Sequence, residues 1–518
     1  MKATFCLLIL LAGFSAAAAV PDADTAADLV YTQVLEGDIT GRSVLVLDEM
    51  VSRGTVLGSW RYQVTAPIDG YLVLIDDMAY ANWEHPCRWV FVSPDGQMET
   101  VRMNTPPDAL ERMTVTHTCL PEEDGRGQYE DFLEWFEPNV QSTPENAENM
   151  YALIISGGAS SGSNHIRYYG DVQFIYNVLA HDYLLPDDHI VVCFADGLNP
   201  APDQSGGLNS NPDFDDDGDS DIIYDATSGG VASGFADIAA MVGPEDHLLI
   251  YTTDHGGSGK FMNSPPEVYL NLWGGSLDDD DYQTDLEGLT YASCHAVMEQ
   301  CYSGGFLVEH IAGTTGKPSS FASAANGYES SWAGATYPEY DEYVYYWTGA
   351  MHGSTPPASS VPGGSLPGDP DMNGDGVVSF WEAFDRAKAW DTYAQSGQEH
   401  PQWDDDPDSC GDLYWLGGLI QTGIGDDGES LLPVAGELAL SGNPLASVST
   451  VSFTVGSPGQ ADVSVYDMSG HLVEVLVSDE LAAGQHSVSW NTEQLAAGVY
   501  ILRFRSADFA ATLRAVKF

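Results

Sequence analysis

A cysteine and a histidine, each followed closely by glycine, are the residues of this chain best suited to covalent chemistry. They lie in Leu248-Leu-Ile-Tyr-Thr-Thr-Asp-His-Gly-Gly-Ser-Gly259 and His295-Ala-Val-Met-Glu-Gln-Cys-Tyr-Ser-Gly-Gly-Phe306. Cys301 is read as a nucleophile toward a carbonyl carbon, and His255, 46 residues upstream, as its proton-transfer partner. Gly256 has no side chain to hold a substrate away. Its N–H, with that of Cys301, is expected to bind the developing oxyanion. Either residue alone reads as a buried thiol or a histidine at the edge of a core. The two together, at paired strand ends, favour chemistry.

Each segment opens with a short apolar run, read as a buried strand that stops at the reactive side chain. Ligands bind at the carboxyl ends of strands in an open α/β sheet, so both groups are expected at one edge. The elements around them alternate. Tyr151–Ile155 is a strand, and Arg167–Tyr183 has helical spacing with Val172, Ile175, Tyr176 and Leu179 on one face. His189–Cys193 is the next strand, followed by a helical stretch Phe235–Met241, a hairpin strand Glu267–Leu272 and a weak helix Tyr282–Ala292. This alternation predicts a mostly parallel sheet flanked by helices. A helix from about Ser303 to Ile311 is expected to favour the Cys301 thiolate through its positive end.

Thr253-Asp-His-Gly-Gly257 and Met298-Glu-Gln-Cys-Tyr-Ser-Gly304 resemble segments of legumain-type cysteine peptidases (the C13 family). So does Ser320-Phe-Ala-Ser-Ala-Ala-Asn-Gly-Tyr-Glu-Ser-Ser-Trp-Ala333. The likeness covers about half the chain. It implies a caspase-like α/β domain over 147–424 that cleaves peptide bonds in protein substrates with Cys301 and His255, without an organic cofactor. It also implies a pocket for the residue before the cut (P1), with Arg167 donating to an Asn side-chain oxygen. Glu299 and Asp341 would accept from the amide nitrogen, with Glu342 an alternative to Asp341, and Ser330 or Ser331 would line the pocket. Asn164 or His165 falls near a supporting asparagine of that family. A buried set of mixed sign suits a neutral amide. Cleavage after Asn is therefore expected, with Asp gaining ground at acidic pH. A gingipain-like preference for Arg or Lys, or a non-catalytic cell-surface role, are the alternatives.

Composition narrows the partners. The 17 basic and 77 acidic residues give a net charge of −60, which repels nucleic acid and anionic lipid and suits calcium. Met1-Lys2 and the apolar run Phe5–Ala12 read as a signal peptide over 1–19; that run is too short to span a membrane, and no other stretch is apolar enough. The six cysteines beyond it include Cys193 in an apolar run, read as a buried free thiol. Cys87 with Cys119 is the favoured disulfide, since export permits one.

Residues 20–146 read as a β-rich region, either a propeptide that blocks the site or an accessory sandwich. Its expected strands are Ser43–Leu47, Gly58–Val64, Tyr71–Ile75 and Trp89–Val92. Two loops carry calcium spacing. Asp371, Asn373, Asp375, the Val377 carbonyl, Ser379 and Glu382 fit an EF-hand loop, followed by a helix Glu382–Trp390. Asp213, Asp215, Asp217 and Asp221 fit one lacking its last ligand. An acidic linker over 425–436 leads to short alternating strands over 437–518, read as an Ig-like β-sandwich. Ser441-Gly-Asn-Pro444, Val465-Tyr-Asp-Met-Ser-Gly470 and Ala496-Ala-Gly-Val-Tyr-Ile-Leu-Arg503 resemble the sorting domain of type IX secretion substrates. That resemblance implies the type IX machinery as a partner and a secreted or outer-surface location.

Overall fold

The structure, a computed structural model, describes residue 20, 22–420 and 438–517 apart from 60–61, 121–127, 261–266, 315, 335–338, 359–362, 441–447, 456–458, 468–471, 483, 493–494, 496–497 and 507–509. The expected signal peptide and linker lie outside the described residues. Contacts divide the chain into two compact units, Met1–Pro370 with Ser379–Gly418, and Asp371–Val378 with Leu419–Phe518.

The first unit begins with an antiparallel sheet. Its strands are β1 (Ser43–Val51), β4 (Gly70–Asp76), β5 (Cys87–Val92), β6 (Met98–Met103) and β7 (Met113–Thr118), in the order β6-β5-β4-β1-β7. The helix Ala23–Gln33, capped by the Asp22 carboxylate on the Thr25 N–H, buries Ala26, Ala27 and Val30 against it. The run 58–64, expected as one strand, is instead split between β2 (Val56–Ser59) and β3 (Tyr62–Thr65), an antiparallel pair with Ser59 opposite Tyr62. Asp76 and Cys87 are direct partners in the β4–β5 pair, so residues 77–86 form a loop closed at its base.

The expected Cys87–Cys119 disulfide is absent; all six described cysteines are free thiols. The sheet order explains this. Three strand spacings separate β5 from β7, roughly 14 Å, twice the reach of a disulfide. Cys87 donates instead to the Thr105 carbonyl at 3.3 Å. Cys193 is a buried free thiol as expected.

A seven-stranded sheet follows, built from β8 (Met150–Ser156), β9 (Ile190–Phe194), β10 (Ile222–Tyr224), β11 (His247–Thr252), β15 (Ser293–Met298), β16 (Ser319–Ser323) and β17 (Gln402–Asp406). The order is β10-β9-β8-β11-β15-β16-β17, parallel except for β17 at the edge. A small antiparallel sheet of β12 (Gly256–Lys260), β13 (Glu267–Leu272) and β14 (Gly275–Asp278) stands beside it. The sheet strands are near-continuous apolar runs because both faces are covered. Leu153, Leu248, Ile250, Ala296 and Met298 share one core with Val231, Phe235 and Ile238 of the helix Ser228–Met241. On the other face Tyr251 meets Trp347 of the helix Glu342–His352. The helix Ile166–Asn177 buries its whole circumference, not one face, and runs on into a π-helical turn Val178–Asp182. The helix Phe380–Trp390 starts at a capping box between Ser379 and Glu382.

The second unit is all antiparallel. One sheet holds Leu438–Leu440, Val448–Val455 and Gly484–Asn491, the other Gly459–Asp467, Leu472–Leu481, Gly498–Arg505 and Ala510–Lys517. Val451, Phe453, Val463, Val465, Trp490, Leu502 and Phe504 form their common core.

Candidate active site

β11 and β15 are in level register, with Thr252 opposite Met298, so both chains leave the sheet at one edge. The Glu299 N–H still binds the Thr252 carbonyl at 2.8 Å; His255 and Cys301 follow within three residues of the two strand ends. Just past Cys301 the chain turns through Tyr302 in the left-handed region, φ 62°, its N–H on the Glu329 carbonyl at 2.8 Å. A non-glycine residue held there is the kind of local strain that active sites retain. Asp254, whose carboxylate accepts the Gly158 and His255 N–H groups, fixes the turn that carries His255.

The site is filled from within the chain. Asn82, Trp83, Glu84 and His85, from the 77–86 loop, lie across it and are buried, as are Cys301 and His255. One peptide unit meets both reactive groups. The Cys301 thiol donates to the Asn82 carbonyl, Sγ to O 2.8 Å, and the Trp83 N–H donates to His255 Nδ1 at 3.0 Å. His255 Nε2 sits 2.8 Å from the Ser163 carbonyl, which puts the ring proton on Nε2 and a lone pair on Nδ1, facing Trp83.

The Asn82 side chain enters the pocket foreseen for an asparagine. Its Oδ1 accepts from Arg167 Nε at 3.0 Å, from a second Arg167 nitrogen, and from the Tyr168 hydroxyl at 2.7 Å. Its Nδ2 donates to Ser331 Oγ at 3.0 Å and Asp341 Oδ1 at 3.1 Å. Arg167 Nε also pairs with Asp341 Oδ1 at 3.0 Å. Of the open alternatives, the structure brings Ser331 and Asp341 to the amide. Ser330 lies further along, its hydroxyl donating to the Glu84 carbonyl at 2.9 Å, and Glu342 accepts the Thr392 N–H. Asn164 is turned to the Asp203 carbonyl.

Two placements differ from expectation. Glu299 does not contact the amide: its Oε2 accepts the Val344 N–H at 3.1 Å, at the start of the helix beneath the pocket. The Gly256 N–H is bonded to the Trp83 carbonyl at 2.9 Å rather than to that of Asn82. The glycines are nonetheless required. A Cβ at Gly256 would strike the Cys301 carbonyl, and one at Gly257 would strike Tyr269 and crowd the Glu84 carboxyl.

Charge in the pocket is nearly balanced. Burial, and after it the neighbouring Asp341 carboxylate, pushes the Asp171 and Glu299 carboxyls well above the usual range. Asp341 is also raised by burial, against the pull of Arg167. One guanidinium thus faces one carboxylate, beside two further acids whose neutral forms burial favours. At the reactive pair, burial pushes the Cys301 thiol up to about 12 and holds His255 well below its ordinary value, helped by His165 and Arg167. The resting pair is thiol and neutral imidazole, not the dipole-favoured thiolate. Burial decides this, and the expected helix is also displaced: a 3-10 turn, Ser303–Phe306, follows Cys301, and the seven-residue α-helix Leu307–Gly313 starts only after it.

Tyr168, Asp171, Asp254 and Asn82 belong to this site and were not foreseen in these roles. Tyr168 was within reach, being next to Arg167 at a helix start. Asn82 had no local signal beyond its place between two strong strands.

The acidic loop brings the carboxylate oxygens of Asp213, Asp215 and Asp221 within 4.8 Å of one another; Asp217 instead gives its N–H to Asp213 and Asp215. Gly218, φ 98°, makes the turn. Burial raises the Asp221 carboxyl to about 6, although the Phe214 N–H and the Tyr176 hydroxyl donate to it; three carboxylates grouped in this way are oxygen donors of the type calcium takes. In the other loop Asp371 accepts the Gly374 and Gly376 N–H groups, and the Asp375 carboxylate accepts that of Val377.

Residues 150–352 match the Peptidase C13 family, and 442–517 match the secretion system C-terminal sorting domain. The chain is 28% identical over 169 residues to the vacuolar-processing enzyme beta-isozyme of Arabidopsis thaliana, covering 26% of this chain and 32% of that one. It is 28% identical over 214 residues to the vacuolar-processing enzyme of Vicia sativa, covering 36% and 41%. The chain thus spans less than half the length of these relatives. The sorting-domain match marks it for export through type IX secretion to the cell surface or beyond. Among the described residues no helix is long and apolar enough to cross a membrane. The segment that sets Cys301 and His255 against one peptide bond is therefore the one that matches the C13 peptidases, with a caspase-like α/β sheet, and the same chain carries a match to a secretion sorting domain.

Proposed function

We propose that the protein is an exported cysteine endopeptidase that cuts after Asn. The carrying observation is the fit of the Asn82 amide, its oxygen on Arg167 and Tyr168 and its nitrogen on Ser331 and Asp341. A Lys or Arg in its place would set a second cation beside Arg167 in a buried site. Cys301 attacks the scissile carbonyl carbon. The thiol proton passes to His255 Nδ1 and then to the leaving nitrogen, the atom that Nδ1 already faces. The Gly256 and Cys301 N–H groups are the proposed oxyanion donors, which requires Gly256 to release the Trp83 carbonyl. Cleavage of a peptide library is the test: enrichment of Asn at P1 supports this function, and enrichment of Lys or Arg rules it out.

Ser331→Ala is expected to lower kcat/KM for Asn substrates about tenfold, the loss of one buried hydrogen bond. Ser330→Ala should leave P1 preference unchanged and weaken only substrates that extend past the cut, as comparison of short and long peptides would show. The raised pocket acids take up protons at a milder pH than ordinary carboxyls. As pH falls, Asp341 becomes a donor to a P1 carboxyl, so the rate ratio of Asp to Asn substrates should rise between pH 7.5 and 5; a flat or falling ratio would contradict the pocket assignment.

Calcium is proposed as a structural ligand of the Asp213, Asp215 and Asp221 cluster, and the sequence of the 371–382 loop carries the same reading. Chelation should lower the melting temperature and leave P1 preference unchanged. We also read the C-terminal unit as an Ig-like sandwich presented to the secretion machinery.

A further inference from the structure

We propose that the Asn82–Trp83 bond is this enzyme's own first substrate: the β4–β5 loop lies in the cleft as a bound substrate and keeps it closed until Cys301 cuts that bond. The inference rests on the reading of Cys301 as the nucleophile and of the Arg167 pocket as a seat for Asn.

Four observations carry it. First, every polar atom of the Asn82 side chain is matched, as described above, so the pocket treats it as a residue to be recognised. Second, the backbone is held on both sides of the bond. Before it, the Asn82 N–H donates to the Ser331 carbonyl at 2.9 Å, and Ala81 bridges Trp332. After it, Gly256 exchanges two bonds with Trp83 and Glu84, and Ser330 and Tyr302 donate to the Glu84 carbonyl. Third, the reacting atoms are addressed: Sγ lies on the Asn82 carbonyl and the His255 lone pair on the Trp83 nitrogen. His85 of the same loop places Nδ1 2.9 Å from the Asn82 carbonyl oxygen and Nε2 2.8 Å from Asp76 Oδ1. An N–H at Nδ1 donates to that oxygen, so the loop brings its own donor to the atom on which charge develops. Fourth, Cys301 and His255 have no solvent exposure, so no outside peptide reaches them while the loop is in place.

The loop cannot easily withdraw while intact, because Asp76 and Cys87 at its base are paired in the sheet. Cutting frees two ends. In that step the Cys301 sulfur bonds to the Asn82 carbonyl carbon, the bond from that carbon to the Trp83 nitrogen breaks, and the thiol proton reaches that nitrogen through His255. One water then hydrolyses the thioester, leaving an Asn82 carboxylate and the thiol restored. No disulfide joins the two sides, so the fragments stay together through β4 and β5 and part on denaturation without reductant.

The test uses the full chain as wild type, Cys301→Ala, Asn82→Ala and the conservative Asn82→Gln. Each is followed over time by denaturing intact mass and N-terminal sequencing, and the same samples are assayed on a fluorogenic Asn peptide. The expected result is a wild-type fragment beginning at Trp83, with peptide hydrolysis rising in step with the cut. Cys301→Ala and both Asn82 variants should stay whole at that bond. A whole bond in wild-type protein that already hydrolyses the peptide overturns the proposal and leaves the Asn-specific peptidase standing. A cut in Cys301→Ala also overturns it, by assigning the cut to another enzyme. No cut in the wild-type protein, with no hydrolysis by it either, sinks the peptidase function as well.

Discussion

Cys301→Ala is expected to lower peptide hydrolysis by at least about 10³-fold, because no other group can form the acyl intermediate. The fold should survive. The lost group is one thiol, which donates to the Asn82 carbonyl and accepts from the Ser331 hydroxyl. Its removal is worth about 1–2 kcal/mol, two hydrogen bonds of which the second is long. A melting curve like that of the wild type, beside an inactive enzyme, is the predicted pair of readings. Residual hydrolysis near the wild-type rate would remove Cys301 from the chemistry.

The second large effect is at Arg167. Its guanidinium donates to the Asn oxygen and pairs with Asp341, all of it buried. A lysine keeps the charge but not the fork, so Arg167→Lys should lower kcat/KM for Asn substrates roughly 10²-fold. Arg167→Leu does more harm, since Asp341 is left as a buried carboxylate without its cation, at a cost of about 3–5 kcal/mol in stability. Adding Asp341→Asn to Arg167→Leu removes that lone charge and should restore much of the melting temperature without restoring activity. Failure to restore it would mean that Asp341 is stabilised by other groups. Full activity in Arg167→Lys would take Arg167 out of the pocket.

The sequence made the chemistry legible where local pattern dictates structure. Buried apolar runs ending at Asp254-His255-Gly256 and at Gln300-Cys301 can only be central strands of a covered sheet, so the edge that joins them followed. The pocket residues Arg167, Ser331 and Asp341 were legible only through likeness to a family, since nothing local marks them. What escaped depends on long-range packing. The 77–86 loop has no periodicity, and its role arises because segments far apart in sequence pack within one compact unit. The Cys301 thiol was expected to be acidified by a helix, but burial under that same loop decides its protonation. Glu299 sits two residues before the nucleophile, and strand geometry turns it beneath the pocket floor. The disulfide expectation counted cysteines without knowing the strand order that separates them.

The central claim is that one cysteine and one asparagine-shaped pocket act on the same peptide bond. The most direct measurement is the fragment mass of the wild-type protein, once cut at Asn82–Trp83, after exposure to two short peptides, one ending in an Asn-derived electrophile and one in a Lys-derived one. A single adduct on Cys301 from the first and none from the second is the predicted result. An adduct on another cysteine, or equal uptake of the two peptides, would contradict it.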